Sequence, residues 1–249
     1  MELYLAGEHK IKNGNECKGW QGLNILESYY YARNNKYLPP LIPQAQNFLL
    51  DSGAFTFMTN DLGHIDWDAY LREYARFVVK HDVKLFFELD IDAIVGLQEV
   101  ERFRDKLEQL TQRKCIPVWH INRGYDYFLK MCEEYDYIAI GGLVSGGSAG
   151  RRLEQHFPKL LGEAHKRGTK VHGLGFTKMK GLKLYKFDSV DSTAWLYGNL
   201  GGFAYRFLPS KGEMEQIKKP QGARLRSSIV SQHNYNEWIK FMKYARTNL

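Results

Sequence analysis

No run in the 249-residue chain approaches the roughly 20 consecutive apolar residues that a membrane-spanning helix needs. Cysteine is scarce. Cys17, Cys115 and Cys132 are the three present, and no two stand at CxxC spacing, which disfavours a zinc knuckle or a disulfide framework and fits a reducing compartment. The sequence also lacks a GxSxG elbow and an HExxH pair, which argues against a serine hydrolase and a zinc protease. Nothing at the N-terminus (MELYLAGEHK) joins a basic segment to a long apolar run, so no signal peptide is expected and the protein is expected in the cytoplasm. Acidic residues are the minority, 28 against 35 lysines and arginines, a net charge of +7. Such an excess attracts phosphate polyanions, and it serves solubility equally well.

What the chain does contain is a succession of short apolar runs. They are Glu2–Ala6, Asn47–Gly53, Lys84–Asp92, Cys115–His120, Tyr137–Gly142, Lys170–Gly175 and Phe187–Asp191, with Gly202–Phe207 as a weaker eighth. Short, largely uncharged runs suit strands buried on both faces. Between them lie amphipathic stretches at helical spacing: Asp66–His81, Gly96–Arg113, Tyr125–Tyr135 and Arg151–Arg167, with 231–248 as a closing helix. Asp66–His81 opens with acidic residues and ends with Lys and His, in accord with the helix dipole. The proline-containing stretch Asn34–Gln46 reads as a long loop. Strand and helix alternating about eight times predict a parallel sheet, and so an α/β fold. That number favours a single-domain (β/α)8 barrel of the TIM type over residues 1–249, without a zinc subdomain; an open doubly wound sheet is the alternative.

Active sites of parallel barrels lie at the C-terminal ends of the strands. There this chain places Asp51, then Asp90 and Asp92, then His120, Gly141 and Gly142, His172, and Asp191. Strict alternation in KLFFELDID puts Glu88, Asp90 and Asp92 on one face, expected to line the barrel mouth, with Phe87, Leu89 and Ile91 packing on the helices. Asp188 and Asp191 are three apart and point opposite ways, so Asp191 is expected in the pocket and Asp188 outside it. The glycine-rich 141–150 stretch lacks the Lys-Ser/Thr of a P-loop; its first glycines let a ligand approach the backbone, and 146–150 read as a mobile lid or a plain loop. His120 and His172 stand alone on their strands, so no metal is expected.

Four motifs then fall in a known order: DSGAF at 51–55, GGL at 141–143, HGLG at 172–175 and DSVDS at 188–192. Together with the carboxylate strand between the first two, they resemble the tRNA-guanine transglycosylase superfamily, over residues 51 to 192. The resemblance implies a base exchange in which Asp191 is the nucleophile at C1′ and Asp51 the general acid/base. It makes Asp90, or in its place Asp92, the reader of the base's N–H edge, and Gly142 and Leu143 the backbone donors to its carbonyl. Ser52, Gly53, His120, Gly141, His172 and Gly173 complete the expected base site. Trp119 and His120 stand where the family has a glutamine near the base. No cofactor is implied.

The family's tRNA enzymes carry a zinc site of three cysteines and a histidine toward the C-terminus, and nothing after Cys132 supplies one here. That brings the chain nearest to compact phage and bacterial relatives that insert 7-deazaguanines, such as preQ0 or preQ1, into DNA. DNA is therefore expected ahead of tRNA, in a host cytoplasm if a phage encodes the protein, with a partner protein for strand opening left open. Lys218, Lys219, Arg224 and Arg226, along with Lys211, Lys10, Lys12 and Lys18, are candidates for phosphate contact. A barrel hydrolase or lyase for a small metabolite and a catalytically silent nucleic-acid-binding relative are the competing readings.

Overall fold

The apolar runs become parallel strands in a computed structural model that describes residues 1–7, 19–59, 65–142, 153–196, 203–218 and 226–249. In chain order these are β1 (Glu2–Ala6), β2 (Asn24–Ser28), β3 (Asn47–Asp51), β4 (Leu85–Phe86), β5 (Val118–Trp119), β6 (Tyr137–Ile140), β7 (Lys170–Gly173) and β8 (Ser189–Ser192). They pair in the order β4-β3-β2-β1-β8-β7-β6-β5, every neighbour parallel. The two ends of that order meet. Phe87 bridges Ile116 in parallel, the Glu88 N–H donates to the Ile116 carbonyl at 3.1 Å, and the Ile116 N–H donates to the Phe86 carbonyl at 2.8 Å. The sheet closes as a (β/α)8 barrel.

The sequence reading needs correcting at one strand. The eighth barrel strand is not Gly202–Phe207 but Asn24–Ser28 (NILES), whose polar ends hid a run that is buried along most of its length. Each strand named after it in the sequence therefore stands one place later in the barrel. The described part of the supposed eighth strand, β9 (Phe203–Leu208), pairs antiparallel with β10 (Glu213–Lys218) in a separate hairpin.

Between the strands run α1 (Tyr29–Ala32), α2 (Ala54–Thr59), α3 (Trp67–Lys80), α4 (Asp92–Val95), α5 (Leu97–Thr111), α6 (Tyr125–Glu134), α7 (Phe157–Lys166) and α8 (Met179–Leu184), and α9 (Ser227–Asn248) closes the chain. The caps follow the sequence. The Asp66 side chain accepts from the Ala69 N–H at 2.9 Å to start α3, with Asp68 in its first turn and Lys80 in its last. Helix α7 runs from Phe157 with proline in its first turn, and the expected start at Arg151 lies outside the described residues. The expected loop 34–46 contains a 3-10 turn, Pro39–Gln44. Among the described residues no helix is long and apolar enough to cross a membrane.

Alternation along the strands separates two cores. Tyr4, Leu26, Leu49, Phe87, Val118 and Ala139 fill the barrel interior, while Leu3, Ile25, Leu50, Phe86, Ile138 and Val190 face the helices. At the N-terminal end, Arg246 of α9 donates to Glu2 at 3.1 Å and to Asn24 at 3.1 Å, and Asn47 donates to Asn24 at 2.8 Å. This network plugs the bottom and leaves the C-terminal end as the open one. Because α9 has its last turns at the bottom, its first residue lies toward the mouth.

Candidate functional site

The inward positions at the strand ends carry the chemistry. Asp51 ends β3, and its Oδ2 accepts the Gly53 N–H at 2.9 Å, a local turn that aims the carboxyl into the mouth. That turn requires glycine: Gly53 has φ +90°, and a Cβ there would lie 2.7 Å from the Tyr30 Cβ. Burial pushes the Asp51 carboxyl up to about 6; the Asp191 and Asp90 charges add to the rise, and the Gly53 N–H and the Ser28 hydroxyl oppose it. Three strand ends thus converge on one space.

Asp191, on β8, accepts the Gly175 N–H at 2.6 Å and contacts the His172 Nε2 at 3.2 Å. His172 is wholly buried, and its Nδ1 meets the Ser189 hydroxyl, which also meets the Tyr137 hydroxyl. One proton arrangement satisfies the whole chain. Tyr137 donates to Ser189, Ser189 to the His172 Nδ1, and the His172 Nε2–H to Asp191. The imidazole therefore orients Asp191 from below and does not line the mouth.

Asp90 and Asp92 belong to a second cluster. The His120 Nε2 lies 2.7 Å from Asp90, and the Arg123 Nε donates to Asp92 at 3.0 Å. Burial alone would lower the His120 pKa, but the hydrogen bond and charge of Asp90, with Asp92 behind, outweigh it and raise it. Gly141 is where His120 needs it: a Cβ there would stand 2.4 Å from the His120 Cε1. Asp90, Asp92 and His120 each offer one atom within 4.8 Å of the others, a spacing that could hold a cation. The Arg123 guanidinium already supplies the positive charge among them, 3.5 Å from Asp90.

Glu88 departs from expectation. Phe87 points into the barrel, so Glu88 faces the helices, where it accepts from Arg104 at 2.6 Å, Arg123 at 3.1 Å and the Val118 N–H at 2.8 Å. Strand β4 ends early, and the backbone turns before Asp90, so the alternation that grouped Glu88 with Asp90 does not continue. Glu88 is a buried anchor for two arginines. Glu88→Gln leaves both partly unneutralised, and urea unfolding is expected to show a loss of about 3 kcal/mol; stability within 1 kcal/mol of the wild type would refute that role.

The remaining expected residues divide. Ser52 is fully buried and its carbonyl accepts from the Tyr70 hydroxyl at 2.7 Å, so it braces the turn from behind. Gly173 faces outward, where a Cβ would press on Phe187 and Phe176. Gly142, exposed and at φ +76°, borders the mouth. Asp188 lies outside the pocket as expected, bonded to the Val171 N–H at 2.8 Å and to His165 at 3.0 Å. Lys218 and Arg226 are exposed at the mouth end of the β9–β10 hairpin and α9, and Lys211 sits exposed at the hairpin's opposite end. Leu143, the 146–150 glycines, Lys219, Arg224, Lys10, Lys12, Lys18 and Cys17 lie outside the described residues. Arg123, Gly175, Ser28 and the Tyr137–Ser189 pair were not anticipated. Only GxG after His172 gave any sign of a backbone donor.

No protein-family model matches the chain, and no curated protein matches it. Among solved structures, the carboxyl transferase domain of pyruvate carboxylase from Rhizobium etli, determined with pyruvate, is similar over 90% of this chain and 42% of that one, at 14% identity and a TM-score of 0.47. The present chain thus spans less than half the length of that one. Assignment of the barrel rests on its own hydrogen-bonded sheet.

Proposed function

We propose that the protein is an enzyme that exchanges guanine in a nucleic acid, DNA ahead of tRNA, for a 7-deazaguanine base. The observation that carries this reading is the pair of mouth carboxylates in unlike surroundings. Asp51 is held near a pKa of about 6, close enough to neutrality both to give and to take a proton, while Asp191 is fixed by a backbone N–H and an imidazole. The four motifs and their order supply the chemistry that such a pair would serve.

In the proposed reaction an Asp191 oxygen attacks C1′ of the target nucleotide. The bond from C1′ to the base nitrogen breaks, its electron pair leaves with guanine, and Asp51 supplies the proton. The incoming 7-deazaguanine gives its ring N–H proton to Asp51, its nitrogen attacks C1′, and Asp191 departs. No cofactor takes part in these steps. Asp90 would accept from the base's N–H edge, with His120 fixing its orientation, and the target base would have to leave its stack to reach the mouth. Lys218 and Arg226 would meet phosphates.

The test is to incubate the purified protein with radiolabelled guanine and, separately, duplex DNA, single-stranded DNA and bulk tRNA. Label is expected in DNA. Label in tRNA alone would reverse the choice of polymer, and label in no polymer would refute the exchange.

A further inference from the structure

A groove runs down the outer wall of the barrel, away from the mouth, between α3 and the segment that follows α1. Its cavity measures about 870 Å³. Arg33 and Lys36 line one side, Arg76 and Lys80 the other, with Glu73 as the acidic residue among them. All four cations are exposed. Among the described residues none of the four has an ion-pair partner, in contrast with Lys84, Arg102, Lys106 and Arg113 nearby, which are all paired. The floor is apolar and aromatic: Tyr29 and Phe77 are buried there, and His81 packs on Phe77 with ring centres 4.5 Å apart. At the edge Tyr37 is 66% exposed, with the Lys36 ammonium 5.1 Å from its ring centre.

We propose that this groove binds the phosphodiester backbone of a nucleic-acid strand. Three features favour an extended polyanion over a compact phosphate ligand. The cations come from two walls, Arg33 and Lys36 from the segment after α1 and Arg76 and Lys80 from α3, and the latter two are a helical turn apart, about 6 Å along the axis. Beside the charges Tyr37 presents an exposed aromatic face at the groove's edge, the kind of platform on which a single strand stacks without its sequence being read. Arg33 also ties one end of the groove to the wall of the mouth: it lies over the rings of Tyr30 and Tyr70, and these same two residues support Gly53 and Ser52 beneath Asp51. A strand whose target nucleotide sits in the mouth can pass over this rim into the groove. The proposal rests on the nucleic-acid part of the proposed function and not on the exchange chemistry.

The experiment is fluorescence anisotropy with labelled single-stranded and duplex oligonucleotides across a salt series. It compares the wild type, a Lys36→Gln/Arg76→Gln/Lys80→Gln variant, and a control of equal charge loss on α6 and α7, Lys130→Gln/Lys159→Gln/Lys166→Gln. Arg33 is spared because its packing on two tyrosines makes it part of the fold. The groove variant is expected to bind roughly tenfold or more weakly at low salt, with the slope of log K against log salt reduced by about 2, while the control keeps the wild-type slope within about 1. Equal affinity and slope for groove variant and control would overturn the proposal and leave the exchange reading standing. Displacement of the oligonucleotide by a mononucleotide at comparable concentration would also overturn it, in favour of a small phosphate ligand. Weakened binding by the variant, in a protein that exchanges no base, would support the groove and count against the enzyme.

Discussion

Asp191→Asn protein is expected to exchange base at least about 10⁴-fold more slowly than the wild type while remaining fully folded. The substitution removes one oxygen's charge and little else. The amide oxygen can still accept from the Gly175 N–H and from His172, the two contacts that now fix Asp191, so the surrounding β7 and β8 have no cause to move. What an amide cannot do is attack C1′ and leave again as a carboxylate. The same variant should form no covalent protein–DNA species on a denaturing gel, whereas the wild type, starved of incoming base, should accumulate one. Exchange within tenfold of the wild type would rule Asp191 out as the nucleophile. His172→Ala offers a graded comparison: its imidazole is buried beneath Asp191, so it should impair the rate without abolishing the adduct.

The position of Asp191 was legible in the sequence because a strand end is a local property. So were Asp51, His120 and Gly141, each the last inward residue of a run that the hydrophobic pattern marks. The failures occurred where strand geometry stops. Strict alternation groups Glu88, Asp90 and Asp92, but β4 spans only Leu85–Phe86, and beyond it the backbone turns. Glu88 consequently points to Arg104 and Arg123, contacts separated from it by 16 and 35 residues, which no local pattern announces. Strand β2 went unread for a different reason. Asn24 and Ser28 face the barrel interior, and Glu27 is buried on the outer side, so polar residues that look like loop are core in NILES. Ser28, beside Asp51, was lost with it. Ser52 and Gly173 show the opposite error: both belong to motifs that resemble a base site, and both serve the fold by facing away from it.

The raised carboxyl of Asp51 links the chemistry of the mouth to the stability of the barrel, and Asp51→Asn should separate them. Its pKa is about 6 in the fold against 3.8 for the unperturbed residue. Between those values the folded protein keeps a proton that the unfolded chain has released, so stability falls as pH rises through this window and levels off above about 6. The difference amounts to about 3 kcal/mol. An asparagine cannot ionise, so the variant should be more stable than the wild type by up to about 3 kcal/mol near pH 8 and no more stable near pH 3, as read by urea unfolding at both. Exchange should move the other way. Loss of the proton donor should slow base expulsion by about 10²- to 10⁴-fold, and the wild-type rate of that step should drop roughly tenfold per pH unit above 6. Stabilisation near pH 8 with the exchange rate unchanged would keep the buried carboxyl but remove its role as the acid. An unstabilised variant would mean that the charge on Asp51 is met by partners strong enough to leave it no proton to give.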